Sequence, residues 1–434
     1  MAGSGGTTRR EMLGGAVVSA ALLGPAAQAA ATTPTTTAGD RVAADLDRYL
    51  GFGSMASGGP GDRACGEWIE AELQAAGYRT LRQPFEAPYF EATRAELAMP
   101  GTRTPVLPQA IVVPTGAAGT SGRLIRIDPR VPVGRDLTGC IALIDLPHAR
   151  WSSLLARPIA TTLAALRTRG AAAAVLIPNG PTGKAIAFNA RADAPIFDRP
   201  LAVLAPEAAG PWLAAAEQGV VATLTVDGTG GRRPAFNVIG RLERGAASWL
   251  VLSTPRSGWY GCAGERGPGV AAWLALTRWA ARALTGVNVI TLCNSGHEYE
   301  YLGAEHALSL VPPPAQTRLW FHLGAAVAAR DWHELGGGRL LALPTVDPQR
   351  YLMASAPLVA AARMAFAGLP GLEAAYPANG NAAGELANIM AAGYSAAGIV
   401  GAHRYHHTVE GDRRCLDPAW VRPVIAAAQR FLAG

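Results

Sequence analysis

From Phe236 onward, apolar runs of strand length alternate with helical stretches: NVIGRL and SWLVLST, then GVAAWLALTRWAARAL, then NVITLCN, TRLWFHLGAAV and SAAGIVGA, and finally AWVRPVIAAAQRFLAG. Strands and helices in alternation bury their apolar sides by forming a sheet covered by helices on both faces, and functional groups then collect at the strand ends. The expected fold class is therefore α/β, with a mixed, mostly parallel sheet flanked by helices. The chain opens in the same style, since GDRACGEWIEAELQAAGY reads as an amphipathic helix that ends at Gly77 and feeds the strand-like TLRQPFEA.

Between Pro100 and Arg233 the texture changes. AIVVP, GRLIRID, GCIALIDL, AAAAVLIP, PLAVLAP and VVATLTVDG are short apolar runs bounded by Gly and Pro, with one helix-like run, ATTLAALRTRGAA, among them. They suggest a small β-rich domain, the alternative being further parallel strands of the main sheet. At 434 residues the chain exceeds the usual size of one domain. The plan expected is a main α/β domain from residues 40–99 and 234–434, with residues 100–233 inserted.

Composition excludes several classes. Half of the residues are hydrophobic and 16% are charged, which a disordered chain would not show. The net charge of +6 comes from scattered arginines, without a basic block or interleaved aromatics, so no nucleic-acid partner is expected. Within residues 1–30, TTRREML precedes the apolar GGAVVSAALLG and then AAQAAA, the layout of an export signal. The adjacent Arg9 and Arg10 resemble the twin-arginine type. The expected location is periplasmic or extracellular, with no membrane attachment once the signal is removed. Five cysteines form no CxxC pair, which argues against a thiolate zinc knuckle.

Chemistry concentrates in SGHEYEYLGAEH, Ser295 to His306, where three carboxylates and two imidazoles follow a strand-like run. The order NVIGRL, a Gly-rich turn with an acid before GVAAWLALTRWA, and then SGHEYEYLGAEHAL resembles the exported zinc aminopeptidases, a family that also contains the glutaminyl cyclases and the transferrin receptor ectodomain. DLTGCIALID, RTRGAAAAVLIPN and the closing FNVIGRL resemble the protease-associated domain inserted in such enzymes.

The resemblance implies a site that has lost one of two metals. Thr254 stands where one zinc's His would be and Gly324 where its Asp would be, while Arg256 replaces an acid that supports that His. Glu265, Glu298 and His407 match the ligands of the other zinc, so the resemblance implies one zinc per chain. His297 falls on the position of the catalytic base, with Glu300 as a substitute if the stretch stays extended. Arg256 could serve a carboxylate or an oxyanion where the lost metal sat, or could pair with Glu265 or Glu298.

The implied activity is hydrolysis or intramolecular aminolysis of an amide-type bond in a peptide or small amide substrate. The alternative is a catalytically inactive, metal-free member that binds a peptide or small ligand. Glu265 is one methylene longer than the usual Asp, and Arg256 and Arg266 add positive charge, both of which favour that alternative. A third reading makes Cys262 or Ser257 a nucleophile with His297 or His407 as base. His403 and His406 read as surface or supporting groups. Glu385, Asn388, Trp259 and Tyr260 are candidates for shaping a pocket.

Overall fold

The computed structural model describes residues 38–378 and 382–434; the expected export signal lies outside them. Among the described residues no helix is long and apolar enough to cross a membrane.

The sheet is built around four parallel strands in the order Ala396–Gly401, Thr317–Leu323, Trp249–Pro255 and Asn288–Asn294. Each is buried on both faces, which is why its sequence reads as a nearly continuous apolar run rather than an alternating one. Arg350–Ala354 adds antiparallel to one side and Val221–Leu242 to the other. On one face the helices Ala38–Leu50, Pro60–Ala75, Ala263–Ala283 and Pro418–Ala433 close the main core, and on the other Leu302–Leu308 and Glu385–Ala391 cover a smaller one.

The feature that sequence pattern did not reveal is a pair of very long antiparallel strands, Arg79–Met99 and Val221–Leu242, paired from Arg79 opposite Arg241 to Ala98 opposite Thr223 with one register shift between Ala92 and Arg94. At roughly 3.3 Å per residue they span about 70 Å. Their inner halves belong to the main sheet. Their outer halves carry the parallel strands Thr120–Ile127, Ile141–Leu146, Ala173–Pro178 and Leu201–Val203. Residues between Leu97 and Val226 supply two cores of their own, one under the helix Arg157–Thr168 and one under Gly210–Glu217.

Two local expectations are corrected. AIVVP, residues 110–114, does not pair as a strand. SGHEYEY does not stay extended: Gly296, Glu300 and Tyr301 take left-handed backbone angles, and Tyr299 N–H and Leu302 N–H both donate to Gly296 O, so the segment is a compact turn. Gly303 is required where that turn meets the next helix, because a Cβ there would lie 2.0 Å from Ser295 O.

Candidate functional site

The loops that follow the parallel strands meet above the start of the helix Ala263–Ala283. This helix contributes Glu265 and Arg266 from its first turn. The loop after Pro255 contributes Ser257, the turn after Asn294 contributes His297, and the loop after Gly401 contributes His403, His406 and His407. All of these side chains are buried.

Among the described residues, Glu265, His406 and His407 bring ligand-type atoms within 4.8 Å of one another. His407 Nε2 lies 3.4 Å from Glu265 Oε1, and His406 Nδ1 lies 3.9 Å from Glu265 Oε2. His407 has a left-handed backbone (φ 58°), and the two imidazoles stack with centroids 3.9 Å apart and planes 21° from parallel. His407 Nδ1 donates to Ala187 O at 2.8 Å, which leaves Nε2 facing Glu265.

Arg266 dominates the electrostatics of this cluster. Its guanidinium is fully buried, donates to Glu265 Oε1 at 2.6 Å and to Ser257 O at 3.1 Å, and keeps Nη1 without a partner. Burial pushes the Glu265 carboxyl up, but Arg266, His406 and His407 together outweigh it and hold that carboxyl well below the usual range. Burial, reinforced by Arg266, pushes the His297 imidazole well below its ordinary value, so it is neutral at pH 7.

The expected site residues separate into two groups. Glu265 and His407 come together, as the resemblance implied. His297 stands at the same centre, its Nδ1 hydrogen-bonded to Glu385 Oε1 at 2.9 Å, and Asn294 Nδ2 donates to the other oxygen of Glu385 at 3.2 Å. Glu298 turns away: its carboxylate accepts from Ser57 N–H at 2.6 Å and from Ser257 Oγ at 2.9 Å. Glu300 sits on the turn and accepts from Ser153 Oγ.

Arg256 is not in the cluster and pairs with neither Glu265 nor Glu298. It forms a fully buried ion pair with Asp62 at 2.9 Å and donates to the carbonyls of Asp62, Cys293 and Phe236. Thr254 Oγ1 donates to Leu323 O, and Ser257 Oγ is hydrogen-bonded to Ser57 Oγ, Glu298 and the His297 N–H. Cys262 lies against the Tyr49 hydroxyl at 3.2 Å, and burial pushes its thiol far up. Among the described residues no histidine ring is bonded to Ser257 or Cys262, so neither has a base in place.

Solved structures similar to this chain include an aminopeptidase from Aneurinibacillus sp. strain AM-1 (15% identity, 92% of this chain and 93% of that one, TM-score 0.67). A zinc aminopeptidase from Bacillus subtilis matches at 13% identity over 91% of this chain and 94% of that one, with TM-score 0.68. An M28 peptidase precursor from Shewanella amazonensis SB2B matches at 16% identity over 92% of both chains, with TM-score 0.66. The chain has the zinc-aminopeptidase fold. No family model matches the sequence, and no curated protein does.

That fold implies zinc, and the donor chemistry alone would suit it, since two imidazoles and a carboxylate form a usual catalytic set. Glu265 Oε2 and His406 Nδ1 are also buried without partners. The arrangement nevertheless does not fit the ion. A dication bound to Glu265 would lie within about 5 Å of the Arg266 guanidinium, a repulsion on the order of 7 kcal/mol at an effective dielectric constant of about 20. Stacked rings so close to parallel send their in-plane lone pairs side by side, and these do not converge at the nitrogen–zinc distance of about 2.0–2.1 Å.

Sequence reading assigned Arg266 only a repulsive charge and treated His406 as a supporting group. The adjacency of Glu265 to Arg266 was the available signal, since an acid beside a permanent cation at a buried helix start is readily neutralised by it. Ser57 and Asp62 gave no signal, because their partners lie some two hundred residues away.

Proposed function

We propose that this chain is an exported, metal-free binding protein built on the zinc-aminopeptidase fold, with residues 100–233 an inserted protease-associated-like module, and that it holds a peptide or small ligand without hydrolysing it. The observation that carries this reading is the buried bond between Arg266 and Glu265. It holds a buried guanidinium against the acid that the resemblance would make a metal ligand, and it takes up that acid's charge.

The cover over the centre supports the same reading. Ala187 exchanges two hydrogen bonds with His407, Ala190 N–H donates to Glu298 O at 3.1 Å, and Trp259 Nε1 donates to Asn189 Oδ1 at 3.0 Å. Residues 187–190 thus lie directly on the groups that would have to meet a substrate. The structural neighbours are named as aminopeptidases, which supports a peptide as the ligand.

The single-zinc amide hydrolase is the competing reading, and one experiment separates them. Protein dialysed against excess zinc is analysed for metal per chain and assayed on aminoacyl amides and N-terminal glutaminyl peptides. No stoichiometric zinc and no turnover is the expected result. One zinc per chain, with turnover abolished in Glu265→Gln, would overturn the binding reading.

A further inference from the structure

Beside the buried centre, and separated from it by the segment that contains Ala187, lies an open cleft of about 660 Å³. Its volume falls in the range of ligand-binding clefts, roughly 300–1,000 Å³. The walls are mainly apolar, with Tyr89 from one long strand, Trp259 and Tyr260 from the loop after Pro255, and Tyr299 from the SGHEYEY turn. Part of the AIVVP stretch forms another wall, and the two charged residues that also line the cleft are already engaged, Asp193 by Arg191 and Arg232 by the carbonyls of Glu86 and Ala192.

The AIVVP stretch has the composition of a strand, but in the fold no strand pairs with it. Gln109 N–H is bonded to Leu201 O and Thr115 N–H to Val226 O, while the backbone of residues 110–114 makes no hydrogen bond among the described residues. Ala110, Ile111, Val112 and Pro114 all line the cleft, and residues 110–113 are half-buried. Those backbone donors and acceptors have no partner within the described chain, and an extended segment laid alongside would satisfy them.

We propose that the cleft binds an extended, uncharged peptide segment that pairs with the backbone of residues 110–113 and seats apolar or aromatic side chains against Tyr89, Trp259 and Tyr299. Aromatic walls supply the affinity for the side chains, and backbone pairing supplies the demand for a peptide rather than any apolar molecule. This names the ligand class of the binding function proposed above. It depends on that reading only for the peptide's survival, since the cleft would seat the same segment whether or not a metal were bound nearby.

The test uses the whole protein and calorimetric titration with acetyl-Val-Phe-Val-amide, the same peptide N-methylated at its central residue, and acetyl-Val-Asp-Val-amide. Saturable binding of the first is expected, weakened tenfold or more by N-methylation or by the aspartate, and weakened similarly in a Trp259→Ala variant of unchanged melting temperature. No saturable binding of the first peptide would overturn the proposal. So would equal affinity for the N-methylated peptide, or undiminished affinity in Trp259→Ala. Parallel incubations of Val-Phe-Val-amide with zinc or with chelator, read by mass spectrometry, address the other question. Cleavage with binding retained would sink the non-hydrolytic reading and leave the cleft assignment standing.

Discussion

Arg266 donates to the carboxylate of its own neighbour, Glu265, at 2.6 Å, and both side chains are buried. A buried ion pair contributes little net stability, but removing one partner strands the other, at a cost of about 3–5 kcal/mol. Glu265→Gln and Arg266→Met should each lower stability by that amount in denaturant titrations, while the double variant should recover much of the loss. Zinc should leave the melting temperature of the wild type unchanged, because a ligand stabilises a fold only in proportion to its binding. A rise of several degrees with zinc would contradict the guanidinium-centred site.

The Arg256 ion pair is a structural clamp between the loop after Pro255 and the helix Pro60–Ala75. Arg256→Met leaves Asp62 buried without its counter-charge, and a loss of about 3–5 kcal/mol in unfolding free energy is expected. Unchanged stability would return Arg256 to the list of residues free to act on a ligand.

His322 supplies a pH dependence with a definite sign. Burial pushes its imidazole down to about 4 from an ordinary value of 6.5. The unfolded chain takes up this proton as pH falls through 6.5, while the folded chain resists until about 4, so the stability this group contributes is present above 6.5 and lost progressively between 6.5 and 4. At about 1.4 kcal/mol per pH unit the loss over that interval is about 3.5 kcal/mol. Chemical denaturation at pH 7 and pH 4.5 should show His322→Asn losing less stability over that interval than the wild type.

All five cysteines are free and buried. Burial raises the Cys65 and Cys262 thiols strongly and pushes Cys293 up to about 12. A disulfide reagent at pH 8 should therefore find no thiol reacting quickly in the native protein and all five after unfolding. Rapid native labelling of Cys262 would revive a thiol-based reaction.

Gly303 tests the turn that positions His297. Gly303→Ala places a methyl against Ser295 O and Asn237 Oδ1, and an overpacking cost of about 1–3 kcal/mol is expected as a lower denaturation midpoint. An unchanged midpoint would mean the turn relaxes freely.

Much of this protein was legible in its local sequence. The strands Trp249–Pro255 and Asn288–Asn294 and the helix Ala263–Ala283 follow from runs of one residue class at one period, which near neighbours alone determine. The juxtaposition of Glu265 with His407 was likewise implied by the motifs that carry them. Tertiary structure decided the rest. AIVVP has strand composition, yet in the fold no strand pairs with it. Glu298, Glu300 and Arg256 were assigned to the site by position, but their directions depend on a turn with left-handed residues and on partners such as Ser57, Ser153 and Asp62 far away in the chain. Which residues lie near a strand end is a local property of the chain. Where their charges point is set by the buried groups that can satisfy them, and those are chosen only when distant segments pack together.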